Sequence, residues 1–289
     1  MMKRLFLLIV TLALCPFAQV NAQKLLAVSY EDSLYSPSMN RYMRYSVILP
    51  PGYAETSERY TTLYLLHGLW GNYRDWITNT GVVQYASAYR FLIIAPDGGN
   101  GWWTNSKDVR YAKYEDFIMN DLIPAVDLKY RTLATRHGRA IAGLSMGGYG
   151  AAKFAIRYPG SFFYAASFSG ALSAISSLEE AMRTDDPNSV YVKSRTDAFG
   201  ATRSNQWTRN DVFALLDSAD AKQLPYFYVS VGHSDFLLDA SLEFGTKLRR
   251  KGAAYEFHET IGTHDWLFWD REIRTVLDKL ERYDPLNVK

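Results

Sequence analysis

Ser145 is the central residue of Gly-Leu-Ser-Met-Gly, residues 143–147, which matches the G-x-S-x-G pattern of nucleophilic serines. An apolar run, residues 139–144, leads into the motif, and a segment rich in glycine and alanine follows it. This order predicts a sharp strand-to-helix turn, in which small neighbours allow close packing. Such a turn exposes the hydroxyl and places the Met146 N–H at a helix start, where it can donate to an oxyanion. A glycine-rich turn with an incidental serine is the alternative interpretation.

A serine nucleophile needs a general base, and the chain contains five histidines. His264 lies in Gly-Thr-His-Asp-Trp, residues 262–266, between a predicted strand and the last predicted helix. This position fits the chain order serine, acid, histidine, so we expect His264 to be the base. His67 is better explained as part of a loop beside the nucleophile. The other three histidines lie before a strand, inside a strand or in the loop of the acid candidate.

The acid of a triad is expected in the loop after the preceding strand. Residues 226–231 lead into Gly-His-Ser-Asp, in which Asp235 is the first carboxylate. Its role would be to orient the imidazole and to stabilise the imidazolium. Asp239, one helical turn later, is the competing candidate, and Asp265 is less suitable because it begins a helix. A helix cap is the alternative role for Asp235.

The second oxyanion donor is expected in the loop that follows residues 61–66. This loop begins His67-Gly68-Leu69, so the backbone N–H of Leu69 is the candidate. Two donors held in fixed positions would stabilise the transition state of acyl transfer.

Short apolar runs alternate with helical periods along the chain. The predicted strands are residues 44–50, 61–66, 91–95, 139–144, 162–168, 226–231 and 253–259; the predicted helices are residues 115–130, 146–158, 237–250 and 266–283. The alternation predicts an α/β domain with a doubly wound, mostly parallel sheet and helices on both faces. Residues 171–210 break the pattern as an insertion, either a cap on the substrate side or an ordinary surface excursion.

Residues 1–22 have the features of a secretory signal peptide. Lys3 and Arg4 precede an apolar run over residues 5–14, and Val-Asn-Ala at 20–22 offers a cleavage site. The run is too short to cross a bilayer, and a buried first helix is the alternative. We therefore expect an exported protein, periplasmic or secreted, whose domain comprises residues 23–289 without an integral membrane segment.

Charge and motif content exclude several classes of function. The chain has 289 residues, 48% of them hydrophobic, and a net charge of +2. Lys3 and Arg4 account for this excess, so the rest of the chain offers no basic surface for nucleic acid or an anionic membrane. The sequence contains no H-E-x-x-H, no paired C-x-x-C and no G-x-x-x-x-G-K. We expect neither a metal nor a cofactor.

Three tryptophans follow predicted strands at the edge where ligands bind in such sheets. These are Trp70, Trp102 and Trp103, which could stack on a sugar or a phenolic acyl group. Ordinary packing of large apolar rings is the alternative for each of them.

The motifs resemble those of the α/β-hydrolase esterases that include esterase D, feruloyl and acetylxylan esterases, and the mycolyltransferases. The matching segments are residues 66–69, 76–80, 95–99, 143–148, 232–235 and 262–266. The resemblance implies a triad of Ser145, His264 and Asp235, with oxyanion donors at Leu69 and Met146. His67-Gly68 is similar to the hydrolytic members, because the mycolyltransferases have Asp-Gly there and use Glu in place of Asp235.

The predicted function is that of a secreted serine carboxylesterase that removes feruloyl or acetyl groups from small-molecule or oligosaccharide esters. Acyl transfer of the mycolyltransferase type is one alternative. A thioesterase similar to S-formylglutathione hydrolase is another, although the leader argues against that usually cytosolic branch. A non-catalytic binding protein is disfavoured, because a binder has no need of the base.

Overall fold

The computed structural model describes residues 26–283. The predicted leader, residues 1–22, lies outside the described residues. Within them, eight strands form one sheet: β1 Val28–Ser36, β2 Arg41–Leu49, β3 Thr61–Leu66, β4 Phe91–Pro96, β5 Arg139–Leu144, β6 Tyr164–Phe168, β7 Tyr226–Gly232 and β8 Tyr255–Thr260. Their spatial order is β1-β2-β4-β3-β5-β6-β7-β8. Strand β2 is antiparallel to both of its neighbours, β1 and β4. The six strands β3 to β8 are parallel to one another.

Helices cover both faces of the sheet, as expected for a doubly wound α/β domain. They are α1 Asp75–Asn79, α2 Val82–Ala86, α3 Tyr114–Asp116, α4 Ile123–Lys129, α5 Met146–Arg157, α6 Leu178–Thr184, α7 Val190–Phe199, α8 Asn205–Asn210, α9 Val212–Ser218, α10 Leu238–Lys251 and α11 Trp266–Tyr283. A π-helical segment, Phe117–Leu122, joins α3 to α4. One hydrophobic cluster lies under α4, α5 and α10, and a second lies under α2 and α11. The predicted fold class is therefore confirmed.

The central strands form where the sequence has continuous apolar runs. Every residue of β3, β4 and β5 is buried, because helices cover both faces of a parallel sheet. The predicted bounds of β3, β5 and α11 agree with the structure. Strand β1 was not predicted, because it is a mostly exposed edge strand without a continuous apolar run. Its Asp32 accepts hydrogen bonds from the hydroxyl groups of Tyr45 and Tyr130, which attach the strand to the rest of the domain.

Residues 171–210 contain three of these helices, α6, α7 and α8, between β6 and β7. The segment packs on the α5 side of the sheet, where Tyr191 and Phe199 lie against Trp102. Its role as a cap over the substrate remains a prediction. Separately, no helix within residues 26–283 combines the length and the apolar character needed to cross a bilayer.

We predict that Gly147→Ala lowers the free energy of unfolding by about 1–3 kcal/mol, as overpacking typically does. A Cβ on Gly147 would lie 2.4 Å from the carbonyl oxygen of Leu66 and 2.6 Å from that of His67. Gly160→Ala is the matched control, because a Cβ there meets nothing within 4 Å. Urea unfolding curves measure both changes, and equal midpoints for the two variants would contradict this packing.

Candidate active site

Ser145 occupies the turn between β5 and α5, as the G-x-S-x-G motif predicts. Its φ of 52° and ψ of −117° place it in a region that side chains rarely adopt. Glycines surround the turn, because a Cβ on Gly143 would lie 2.5 Å from the backbone of Gly147. The chain therefore reverses direction tightly enough to project the serine side chain from the carboxyl edge of the sheet.

Three side chains from distant parts of the sequence form a hydrogen-bonded series at this edge. The distance from Ser145 Oγ to His264 Nε2 is 3.0 Å. His264 Nδ1 lies 3.0 Å and 3.1 Å from the two carboxylate oxygens of Asp235. An ionised carboxylate only accepts, so Nδ1 carries the proton and donates it to Asp235. Nε2 is then free to accept a proton from the serine hydroxyl.

Asp235 is the acid candidate that the structure brings to His264. Its side chain is buried, and one of its oxygens also accepts from the backbone N–H of Leu237. Burial acts to raise the pKa of Asp235, but the hydrogen bonds from His264 and Leu237 outweigh it, so the pKa lies below its ordinary value. The competing candidate, Asp239, is exposed in the first turn of α10. Asp265 instead caps α11 by accepting from the Phe268 N–H.

Two aromatic rings hold the imidazole of His264. The rings of Trp269 and His264 pack in a T-shaped, edge-to-face arrangement with their centroids 4.9 Å apart. Phe236 lies against it at 4.6 Å although the Phe236 residue is 74% exposed. Sequence reasoning missed Phe236, and its place directly after Asp235 in the same loop was the available signal.

The loop after β3 lies beside the nucleophile. A Cβ on Gly68 would be 3.4 Å from the Cβ of Ser145, so the Leu69 backbone passes close to the serine. His67 is buried and joins this loop to the one after β4: its Nε2 accepts from the Gly98 N–H at 2.8 Å, and its Nδ1 lies 2.7 Å from the Gly68 carbonyl. Burial lowers the pKa of His67, consistent with a neutral ring that donates from Nδ1.

Met146 is the first residue of α5, and N–H groups of a first helical turn have no acceptor within their helix. The N–H of Met146 thus lies at the start of the helix that follows Ser145, and the N–H of Leu69 lies in the loop after β3. Both are suited to stabilise negative charge that develops near the serine.

A cavity of about 450 Å³ opens beside Ser145 and His264. Its other lining residues are Gly68, Leu69, Trp70, Gly71, Asp75, Leu144, Asp265, Trp266 and Trp269. Two carboxylates thus line the cavity, and no lysine or arginine of residues 26–283 does. Within the same range, no residue of 171–210 reaches its wall.

The three tryptophans singled out from the sequence differ in environment. Trp70 lines the cavity and is 70% exposed. Trp102 and Trp103 are 1% and 0% exposed, which favours ordinary packing, the alternative for both, over contact with substrate. Their indole N–H groups donate to Ser194 and to the His67 carbonyl. Both rings turn back into the core and support the loop after β4. Among the described residues, no group of His, Cys, Asp and Glu could hold a metal ion.

A family model described as "Putative esterase" matches residues 36–280. The chain belongs to this esterase family. Among curated proteins, the acetyl esterase of Caldicellulosiruptor saccharolyticus is 27% identical over 230 residues, which are 78% of this chain and 85% of that protein. Esterase Rv1288 of Mycobacterium tuberculosis is 31% identical over 237 residues, covering 76% of this chain but only 52% of that protein.

Solved structures show the same relationship. FphF, a fluorophosphonate-binding serine hydrolase of Staphylococcus aureus, has a TM-score of 0.79 and 27% identity, covering 88% of this chain and 98% of that one. A ferulic acid esterase has a TM-score of 0.74 and 28% identity, covering 89% and 99%. The α/β-hydrolase fold and the assignment of this esterase as a serine carboxylesterase are thus confirmed.

In the esterase, the proton on His264 Nδ1 should give a strongly downfield NMR signal, because a charge-assisted hydrogen bond to the Asp235 carboxylate deshields it. We expect Asp235→Asn to shift or abolish that signal and Asp239→Asn to leave it unchanged. A His264 signal that is insensitive to Asp235→Asn would contradict the geometry described above.

Proposed function

We propose that Ser145, His264 and Asp235 form the catalytic triad of this esterase, and that it removes acetyl or feruloyl-type acyl groups from neutral carbohydrate esters. The observation that carries the proposal is the hydrogen-bonded series Ser145–His264–Asp235 at the wall of the cavity. A serine in reach of a base that a third group orients is the arrangement that nucleophilic catalysis requires.

In the first half of the reaction, Ser145 Oγ attacks the ester carbonyl while His264 Nε2 takes the hydroxyl proton. The carbonyl oxygen becomes negative and accepts hydrogen bonds from the N–H groups of Leu69 and Met146. His264 then protonates the leaving alcohol, and the acyl group stays on Ser145 as an ester. Water, deprotonated by His264, attacks this acyl-enzyme in the second half and regenerates the serine.

Asp235 supports this cycle because it is buried and ionised. It fixes the tautomer in which Nε2 accepts, and it stabilises the imidazolium that forms twice in each turnover. The two oxyanion donors add the other large contribution, since loss of one such donor typically costs about 3–4 kcal/mol of transition-state stabilisation.

The walls of the cavity support small or aromatic acyl groups. Trp70, Trp266 and Trp269 line it, and Phe236 lies beside His264. Indole rings stack on both sugars and phenolic rings. One relative is an acetyl esterase and one structural neighbour a ferulic acid esterase, which agrees with either acyl group.

The charge of the cavity supports a neutral substrate. Asp75 lines it and is half-buried. With Asp265 on the same wall and no cation, an anionic substrate would meet repulsion at short range. Glutathione thioesters carry free carboxylates, so this wall disfavours the alternative of a thioesterase for S-formylglutathione.

The triad is tested with 4-nitrophenyl acetate and methyl ferulate. We predict that Ser145→Ala abolishes hydrolysis, that Asp235→Asn lowers kcat by orders of magnitude, and that Asp239→Asn leaves kcat within about twofold. Circular dichroism confirms that each variant is folded. Equal rates for wild type and Ser145→Ala would reject the proposal, and ester products that dominate in the presence of an acceptor alcohol would favour the transferase alternative.

The role of Asp75 is tested with two esters of similar shape, 4-nitrophenyl butyrate and the anionic 4-nitrophenyl hemisuccinate. We expect Asp75→Asn to raise kcat/KM for the hemisuccinate by about three- to thirtyfold, since one repulsive charge at close range is removed. The butyrate value should change by less than about twofold, because a neutral ester has no charge for Asp75 to repel.

Asp186→Asn, which removes an exposed carboxylate outside the cavity, is the matched control. If the ratio of the two kcat/KM values is the same in wild type and Asp75→Asn, Asp75 does not set charge preference.

A further inference from the structure

A second polar cavity of about 390 Å³ lies away from the serine. It is open to solvent and is lined by residues that follow β4, by Lys113 and Glu115, by Arg157 at the end of α5, and by α8. Since α5 begins next to Ser145 and a helix rises 1.5 Å per residue, Arg157 is roughly 18 Å from the nucleophile. This cavity is therefore separate from the candidate active site.

Four basic side chains line this second cavity. They are Lys107, Lys113, Arg157 and Arg209. Thr104, Asn105, Ser106, Gln206 and Asn210 complete its polar wall together with Glu115, which is the one carboxylate in the lining among residues 26–283. Because basic and acidic residues balance over the chain after Arg4, this excess of positive charge is a local feature.

Glu115 does not neutralise the four cations. One of its carboxylate oxygens lies 2.8 Å from Nζ of Lys153, which is fully buried. The other accepts from Tyr158 at 2.5 Å and lies 3.0 Å from Nε of Arg157. Burial acts to raise the pKa of Glu115, but Lys153 outweighs it, so the pKa lies below its ordinary value. The charges of Glu115 and Lys153 therefore largely cancel. Little of the negative charge of Glu115 is left to neutralise Lys107, Lys113 or Arg209.

The four basic side chains use only some of their N–H donors in hydrogen bonds to other described residues. Lys113 Nζ donates to the Ser106 carbonyl, and Arg157 donates through one terminal nitrogen to the Arg209 carbonyl. Lys107 and Arg209 are exposed, and for their side chains no hydrogen bond or ion pair to protein occurs within the described part of the chain. Cations gathered around one cavity repel each other, and an anion between them removes that repulsion.

We propose that this cavity binds a tetrahedral oxyanion, a phosphate or a sulfate group. Arg209 supplies a planar pair of donors that matches the oxygens of such a group, Arg157 supplies its remaining terminal nitrogen, and two lysines supply point charges. The polar wall excludes an apolar ligand. This inference is independent of the triad, because none of these residues lines the cavity beside Ser145.

The test compares wild type with Lys107→Ala/Arg209→Ala. Titration calorimetry with inorganic phosphate and with sulfate should show binding to wild type and at least about tenfold weaker binding to the double variant, since hydrogen bonds to charged groups are removed. At matched ionic strength, phosphate should raise the Tm of wild type over chloride by about 2 °C or more, and the gain should be lost in the variant.

Lys222→Ala/Arg249→Ala is the control, because it removes two exposed cations that line no part of this cavity. It should bind phosphate as wild type does. In chloride, Lys107→Ala/Arg209→Ala should unfold at the same or a higher temperature than wild type, because repulsion has been relieved. Both double variants should keep wild-type esterase activity, which shows that they are folded.

Glycerol 3-phosphate and a sulfated monosaccharide then distinguish the source of the group. Tighter binding of one of them identifies a phosphate ester or a sulfate ester as the ligand class. Absence of phosphate and sulfate binding to wild type, or equal binding by wild type and Lys107→Ala/Arg209→Ala, would overturn the proposal without bearing on the triad.

Discussion

The hydrogen bond between Ser145 and His264 is the interaction on which the rest of the structure depends. It joins residues 119 positions apart, and the parallel part of the sheet brings the loops after β5, β7 and β8 to one edge. The order β3-β5-β6-β7-β8 also places the loop after β3 beside the serine, where Leu69 and Met146 are the proposed oxyanion donors. A different strand order would leave the same residue types in the sequence without a site.

That arrangement requires a strained residue at its centre. A non-glycine residue at φ 52° costs about 1–3 kcal/mol, and the surrounding backbone must hold it in place. The Ser145 N–H donates to the Phe168 carbonyl at 2.9 Å, and its carbonyl accepts from Ala171 at 3.0 Å. Since Phe168 and Ala171 belong to the end of β6 and the following loop, the strand between the serine and the acid supports the nucleophile although it supplies no catalytic group.

The sequence predicts the parts of this structure that depend on local pattern. Continuous apolar runs predicted the buried strands, and glycine spacing predicted the turn at Ser145. Edge strand β1 was not predicted, because it is attached through polar contacts of Asp32 with residues that are distant in sequence. Trp102 and Trp103 follow a strand just as Trp70 does, and all three have a positive φ, yet only Trp70 is exposed. The difference lies in tertiary contacts: the indole N–H groups of Trp102 and Trp103 donate to Ser194 and to the His67 carbonyl, which are distant in sequence. Such contacts are not visible in residue type alone.

The chain is nearly balanced in charge, yet the cavity beside Ser145 and the distant cavity lined by Arg157 are opposite in electrostatic character. The cavity beside Ser145 has carboxylates and no cation in its described wall, whereas the distant one has four cations around a single compensated carboxylate. None of the described residues that line one cavity lines the other. The proposed charge preference for esters and the proposed oxyanion site therefore depend on different side chains of one fold.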